Sequence, residues 1–335
     1  MIDALQVVIN GLLVGLVYGL VAVSFVVIYR SSRIVNLAQG EILLLGALFI
    51  WTFTLGVKLP WGIGVPIALV CCVGMALILE RALFRPLIGE SPFTVFMASI
   101  ALLILLRGIA QLVWGAETRP FPQILPSGAW SVGPFLVTKR LLIGAVLTVS
   151  LVELLHWFFM HTRQGLRLAA VAEDHYTALS LGVSVRQAVA VAWIMGAVLS
   201  AIGSVVLLSD QIVSLNAAGI GLRALPIALL GGMESVRGAL LAGAIIGVGE
   251  ALASVYVDPF TKGVSSQILP YVAFCCSARK ASSAGKSSGG SEASCCSRPA
   301  FASKASRLKA ATFTRGRRRC GSRLCCSRLF SYRTP

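Results

Sequence analysis

The sequence predicts an all-α, polytopic helical membrane protein with about eight transmembrane helices and one short broken or re-entrant helix. Composition is the first reason. Of the 335 residues, 57% are hydrophobic and only 13% charged, with a mean hydropathy of +0.85, whereas soluble domains carry roughly 25% charged residues. Second, apolar runs of about 18 residues or more, the length a helix needs to cross a bilayer, recur along the chain. Third, the breaks between these runs are brief, except at 115–139 and 161–186.

Taken in order, helices are expected near 5–29, 38–56, 61–83, 92–114, 140–160, 187–208, 238–256 and 264–276, with a shorter one near 222–232. The first run, Leu5–Ile28, has Asp3 ahead of it and no basic leader, and it exceeds a signal-peptide core, so it reads as a retained span. The last run, beginning "SSQILPYVAF", stops after about a dozen apolar residues, too few to cross. Gly11, Gly15 and Gly19 recur at a spacing of four, as do Gly243 and Gly247. In lipid no hydrophobic force drives helices together, and small residues at this spacing permit close backbone approach. Such a seam serves static packing or a moving interface equally well.

Basic residues set the expected orientation, because cytoplasmic loops are enriched in Lys and Arg. With 161–186 placed in the cytoplasm, Arg30, Arg33, Arg81, Arg85, Arg163, Arg167, Arg186 and Arg237 share that side. Lys58, Arg119, Lys139, Arg140, Arg223 and Lys262 fall opposite. The bias, eight against six, predicts an external N-terminus and a cytoplasmic C-terminus.

The net charge of +16 is unevenly spread. Residues 1–276, the expected membrane domain, hold 15 Lys and Arg against 12 Asp and Glu, a net of +3. Residues 277–335 hold 14 against the single Glu292, a net of +13. This segment is a basic, Ser-, Gly- and Ala-rich low-complexity tail, expected to be disordered or the product of a frameshift. With GC-rich codons, a two-base shift at Cys275 can read "LL-x-PQG-x-FGR" in place of "CCSARKASSAGK", which would extend the apolar run and end it in a basic tip. Its "RGRRR" run could attract nucleic acid or anionic lipid. No nucleic-acid partner is expected, since that role would rest on this tail alone; membrane lipid is the expected surrounding. Cysteines follow the same division, with Cys71 and Cys72 in an apolar run and seven from Cys275 onward, none in CxxC spacing.

Polar residues inside the apolar runs are the candidates for function, because they are costly there and normally face the bundle interior or a wet cavity. In "NLAQGE", Asn36, Gln39 and Glu41 stand at the start of a span. They either line a translocation path or serve as helix cap and interfacial groups. Arg107, Gln111, Glu153 and Glu250 pose the same choice. "LLGGMESVRGALLAG" breaks a short helix from the next span, with Gly231, Gly232 and Gly238 able to form a hinge, a re-entrant element or a simple turn.

"LRLAAVAEDHYTALSLGV" (166–183) is polar by comparison with its surroundings. As a helix it aligns Ala169, Ala172, Tyr176, Leu179 and Val183 into an apolar stripe, with Arg167, Asp174 and Thr177 on another face. A helix of this kind between two spans can lie on the membrane, dock in a partner's groove, or pack on its own bundle.

Enzymatic chemistry has little support. His156 and His161 lie five apart without an acidic cluster, so no metal site is expected, and no nucleophile elbow accompanies the three histidines. The chain also lacks a GxxxxGK[ST] phosphate-binding loop, so energy for transport must come from a partner or an ion gradient. No cofactor of its own is expected.

Four stretches in series resemble one family. "GLRLAAVAEDHYTALSLGVSV" is similar to the cytoplasmic coupling loop of LivH-like permeases of branched-chain amino acid ABC importers. "RIVNLAQGEILLLGA" resembles their start of the second span, "ERALFRPL" their basic loop after the third, and "GLRALPIALLGGMESVRGALLAGAIIGVGE" their glycine hairpin and following Glu. The resemblance covers residues 1 to about 274. It implies a multi-pass subunit of the bacterial inner (plasma) membrane that pairs with a sister permease and rests on cytoplasmic ABC ATPases, which bind the ATP. An extracellular or periplasmic binding protein delivers the substrate. It further implies that Ala169, Ala172, Glu173, Asp174 and Leu179 contact the ATPase and that Gly182 ends the helix. Relatives of this class also carry urea and short amides, so a permease for those solutes is an alternative. A gradient-driven secondary transporter is another, although no convincing intramembrane ion pair is visible in the sequence.

Overall fold

A long first helix, α1 (Ile2–Ser32), forms the axis on which the other helices assemble. In the computed structural model the described residues are 2–275, except 34, 88–89, 133–134, 174–177, 179–181, 210, 262–263 and 265–266. All of them lie within one compact unit, Met1–Ser282. The expected tail, 277–335, is outside the described residues.

The remaining helices follow closely the order read from the sequence. α2 (Gln39–Trp51) continues through a π-helical turn, Thr52–Gly56, and α3 (Trp61–Leu79) does the same through Glu80–Phe84. The side chains of Thr52 and Thr54 donate to the carbonyls of Leu48 and Ile50 at 2.8 and 2.6 Å, back-bonding of the kind that loosens a helix locally. α4 (Pro92–Trp114) starts on a capped turn, in which Ser91 Oγ accepts from the Thr94 amide at 3.3 Å. After it come α5 (Lys139–His161), α6 (Arg163–Glu173), α7 (Val185–Leu208), α8 (Gly219–Gly231) and α9 (Val236–Tyr256). A 3-10 turn, Leu215–Ala218, leads directly into α8.

Among the described residues seven helices are long and apolar enough to cross a membrane. Of the segment expected at 264–276, the described residues 267–275 are helical. The 3-10 turn and α8 together cover Leu215–Gly231, too short to span, and correspond to the broken element expected near 222–232. Helices dominate because lipid offers no partner to backbone amides and carbonyls, so each span must satisfy its own. Pro226 inside α8 removes one such donor. The carbonyl of Leu222, four residues earlier, instead faces the hydroxyl of Tyr271 at 3.4 Å.

Two small antiparallel ribbons depart from the expected pure helix. β2 (Ala129–Val132) pairs with β3 (Phe135–Thr138), while β1 (Arg119–Pro120) pairs with β4 (Ile212–Val213). They mark one end of the bundle, where Gln6 donates to the Leu136 carbonyl at 2.9 Å and Trp114 donates to Thr52 at 2.8 Å. Ion pairs mark the other end, where Arg33 meets Glu234 and Arg237 Nε donates to Glu153 at 3.0 Å.

Burial separates core from lipid-facing spans. The apolar window of α1 is 78% buried and that of α7 61%, against 28% for each of α3, α4 and α5. α1 lies closest to α9 along the glycine seam. A Cβ added at Gly11 would stand 2.8 Å from the Gly247 carbonyl oxygen, and one at Gly243 would stand 2.6 Å from that of Gly15. Backbone meets backbone there, as the spacing of four predicted.

Candidate functional site

The polar groups at the start of α2 are brought together, and they divide into two kinds. Asn36 Oδ1 accepts from the Ala38 amide at 3.1 Å and its Nδ2 approaches Gln39 Oε1 at 3.5 Å, so Asn36 stabilises the turn that starts α2. Gln39 is fully buried. Its Nε2 lies 3.0 Å from Ser24 Oγ of α1, 3.2 Å from the Gly196 carbonyl and 2.7 Å from Ser200 Oγ of α7. One side chain thus joins three helices.

Glu41 is equally buried but far less satisfied. Its Oε1 lies 3.8 Å from Arg107 Nη1 of α4, and its Oε2 is enclosed without a hydrogen-bond partner. Glu41 and Arg107 line a cleft of about 120 Å³, closed on the far side by Asn216, Ala218 and Gly219 at the start of α8. Gly40 and Gly221 make this closeness possible, since a Cβ on Gly40 would run into the Ala218 carbonyl and one on Gly221 would lie 2.6 Å from the Gly40 nitrogen.

Glu250 stands apart from that group. It lies in α9 and pairs with Arg223 of α8 at 3.7 Å, close to Tyr18 of α1. Arg223 follows Leu222, a cleft residue, so α8 carries both neighbourhoods on adjacent positions.

The three glycines named between α8 and α9 form a tight helix–turn–helix. Gly232 has φ +87°, a left-handed conformation that favours glycine. A Cβ on Gly231 would stand 2.5 Å from the Ala239 backbone, and Gly238 would meet the Gly231 carbonyl. Ser235 caps α9 by accepting from the Gly238 amide at 2.9 Å.

The coupling segment is seen in part. α6 buries Leu168, Val171 and Ala172 against its own bundle, while Leu166 and Arg167 are exposed and Ala169 is half-buried. Arg33 Nε donates to the Ala172 carbonyl at 3.1 Å, tying the end of α6 to α1. Gly182 has φ +76°, a left-handed conformation that favours glycine. Asp174, Leu179 and the side chain of Glu173 lie outside the described residues.

Sequence reasoning missed Ser24 and Ser200, the partners of Gln39, and Asn216 in the cleft. A serine within an apolar span gives no sign of its partner. Arg107 carried a signal as an intramembrane cation, but nothing paired it with Glu41. Among the described residues no group of three or more His, Cys, Asp or Glu side chains is placed to hold a metal ion.

Residues 7–275 match the family model described as the permease component of the branched-chain amino acid transport system. The chain belongs to that family. It is 27% identical over 278 residues to the high-affinity branched-chain amino acid transport system permease protein LivH of Escherichia coli K12, covering 78% of this chain and 90% of the relative. It is 28% identical over 283 residues to BraD of Pseudomonas aeruginosa, a protein of the same description, covering 79% and 91%. Among solved structures, PsaBC from Streptococcus pneumoniae in complex with Fab aligns over 80% of this chain and 89% of that one, at 18% identity and TM-score 0.43. As a member of a permease family, with seven span-length helices among its described residues, the chain is a multi-pass integral membrane protein and a transport component rather than an enzyme.

Proposed function

We propose that this permease is the membrane-spanning subunit of an ABC importer that moves branched-chain or closely related amino acids. A sister permease completes the pathway, cytoplasmic ABC ATPases bind ATP and drive it, and an extracellular or periplasmic binding protein delivers the substrate. The family match across residues 7–275 carries the reading, and the missing phosphate-binding loop agrees with an energy source on another chain. The protein lies in the inner membrane with its N-terminus outside, so that Arg33, α6 and the Gly231–Gly238 turn face the cytoplasm, in line with the charge bias. α6 and the residues following it, with Glu173, Asp174 and Leu179, form the contact with the ATPase.

Proteoliposomes holding the assembled transporter test this. ATP-dependent uptake of radiolabelled leucine, inhibited by isoleucine and valine but not by urea, is the expected result. Uptake that persists without any partner ATPase overturns the reading.

Residues 275–335 we read as translated in a shifted frame. A shifted reading at Cys275 would extend the apolar run, and the family match ends at that residue. Resequencing codons 273–277 decides it, and an unambiguous in-frame result overturns it.

A further inference from the structure

One flank of α4 carries polar groups at membrane depth that the chain itself leaves unanswered. Phe96, Ile100, Leu103, Arg107 and Gln111 follow one another at i, i+4, i+7, i+11 and i+15, a single stripe along the helix. Arg107 stands roughly 10 Å along the axis from Trp114 at the end of α4, inside the ~30 Å hydrocarbon layer. Its guanidinium does not reach for the nearer membrane surface. It is drawn to Glu41 in the first turn of α2, whereas Trp114 meets Thr52 at the far end of that helix. Even so, the Arg107 side chain is 44% exposed. A guanidinium offers five N–H donors. Among the described residues, the side chains of Arg107, of Gln111 and of Asn216 across the cleft make no hydrogen bond. Lipid cannot supply the missing partners, and polar side chains at this depth normally face protein or a wet cavity.

Other outward surfaces differ. α3 turns Ile63, Ile67, Val70 and Ile78 outward, an apolar face suited to hydrocarbon. Glu153 and Arg237 are exposed too, but they answer each other, Arg237 Nε donating at 3.0 Å. The chain's own tail does not suit the open flank, because residues 277–335 carry 14 Lys and Arg against one acid, a costly load at membrane depth.

We propose that a second permease subunit covers this flank. It seats a membrane helix against Leu103 and Ile104 of α4 and Leu222 of α8, and it presents acceptor oxygens to Arg107. The cleft beside Arg107 then lies between two subunits instead of opening to lipid. Without a hydrophobic force between helices in a bilayer, close packing and interhelical hydrogen bonds of this kind hold subunits together. The inference rests on the transport reading above and names the surface on which its sister permease docks.

Photo-cross-linking in membranes that hold the complete transporter tests this. p-Benzoylphenylalanine replaces Ile104 or, as a control, Val70; the two are 65% and 70% exposed, each near the middle of its span. Irradiation is expected to join position 104 to a second permease chain and position 70 to lipid alone. Lipid adducts only at position 104, a link within its own chain, or permease capture from position 70 as readily as from 104 each overturn the proposal. Arg107→Leu is expected to lower the amount of co-purifying second permease about tenfold, the scale of one hydrogen bond to a charged group. Arg107→Lys is expected to recover part of it. Full recovery of the partner with Arg107→Leu overturns the acceptor contact. Should that variant fail to insert, Ile104→Trp decides instead, since it leaves Arg107 and Glu41 in place. It is expected to lose the partner where Val70→Trp keeps it, and equal co-purification overturns the surface. A transporter that gives the position-104 adduct but takes up no leucine overturns the transport reading alone. Leucine uptake without that adduct overturns this inference alone.

Discussion

Gln39 and Glu41 stand two residues apart in the first turn of α2, and their circumstances are opposite. Both are buried, yet Gln39 reaches Ser24, Gly196 and Ser200 on two other helices, whereas Glu41 has one loose ion pair and an orphaned oxygen. A polar group whose bonds are all made inside the bundle acts as a clamp. One with an unanswered oxygen and a single loose ion pair ties its helix far less firmly. The same contrast divides the bundle more widely. The α1–α9 seam is closed backbone to backbone through Gly11, Gly15, Gly243 and Gly247, while the region between α2, α4 and α8 retains a cleft.

The seam offers the strongest way to break this comparison. Gly247→Leu would drive a side chain into the backbone of Gly11 and Gly15. Overpacking commonly costs about 1–3 kcal/mol, and backbone cannot rotate aside as a side chain can, so a loss of about 3 kcal/mol or more is expected. Monodisperse protein after solubilisation should largely disappear. A normal yield would show that the seam has slack.

The next effect separates the clamp from the loosely held carboxylate. Gln39→Leu removes the amide that donates among Ser24, Gly196 and Ser200, at an expected cost of about 1–3 kcal/mol, visible as a lower thermal midpoint. Glu41→Gln removes no well-made hydrogen bond, so its midpoint should move by less than about 1 kcal/mol allows. A larger shift for Glu41→Gln than for Gln39→Leu would reverse the assignment of the two residues.

Legibility in the sequence follows the same line. Spans were readable because lipid imposes long apolar runs, and Gly and Pro mark their ends; α4 matches its expected 92–114 bounds. The glycine seam was readable because its signal is a spacing within one helix. What joins distant positions was not. Gln39 lies 161 residues from Ser200, and Glu41 meets Arg107 of another helix, pairings that no local pattern encodes. The α6 stripe was displaced for a related reason. Period alone started it at Ala169, but the bundle buries Leu168 and Val171 beside Ala172, because the groove that receives α6 is built by α1, α5 and α7.

Beyond α6, Gly182 provides a smaller test of the loosely held half. A Cβ there would meet nothing within 4 Å, so the only obstacle to substitution is its φ of +76°. Gly182→Val is therefore expected to cost about 1–2 kcal/mol locally and to leave the amount of inserted protein unchanged. If this turn transmits ATPase motion, uptake per ATP hydrolysed should fall sharply. Unchanged coupling would reduce the turn to a passive connector.

Arg33 gives the smallest effect and the finest distinction. Its ion pair with Glu234 is between exposed side chains, worth less than about 1 kcal/mol and weakened by salt. Arg33 also donates to the Ala172 carbonyl near the end of α6, where a cation is favoured. Glu234→Ala removes the first contact alone, whereas Arg33→Ala also removes the bond to Ala172 and the guanidinium over the Tyr29 ring, 5.9 Å from its centroid. The thermal midpoint should therefore fall further for Arg33→Ala, and the difference should persist in high salt. Equal midpoints for the two variants would mean that Arg33 adds nothing measurable beyond its pair with Glu234, the bond to Ala172 included, and would leave the packing of Leu168 and Val171 to hold α6.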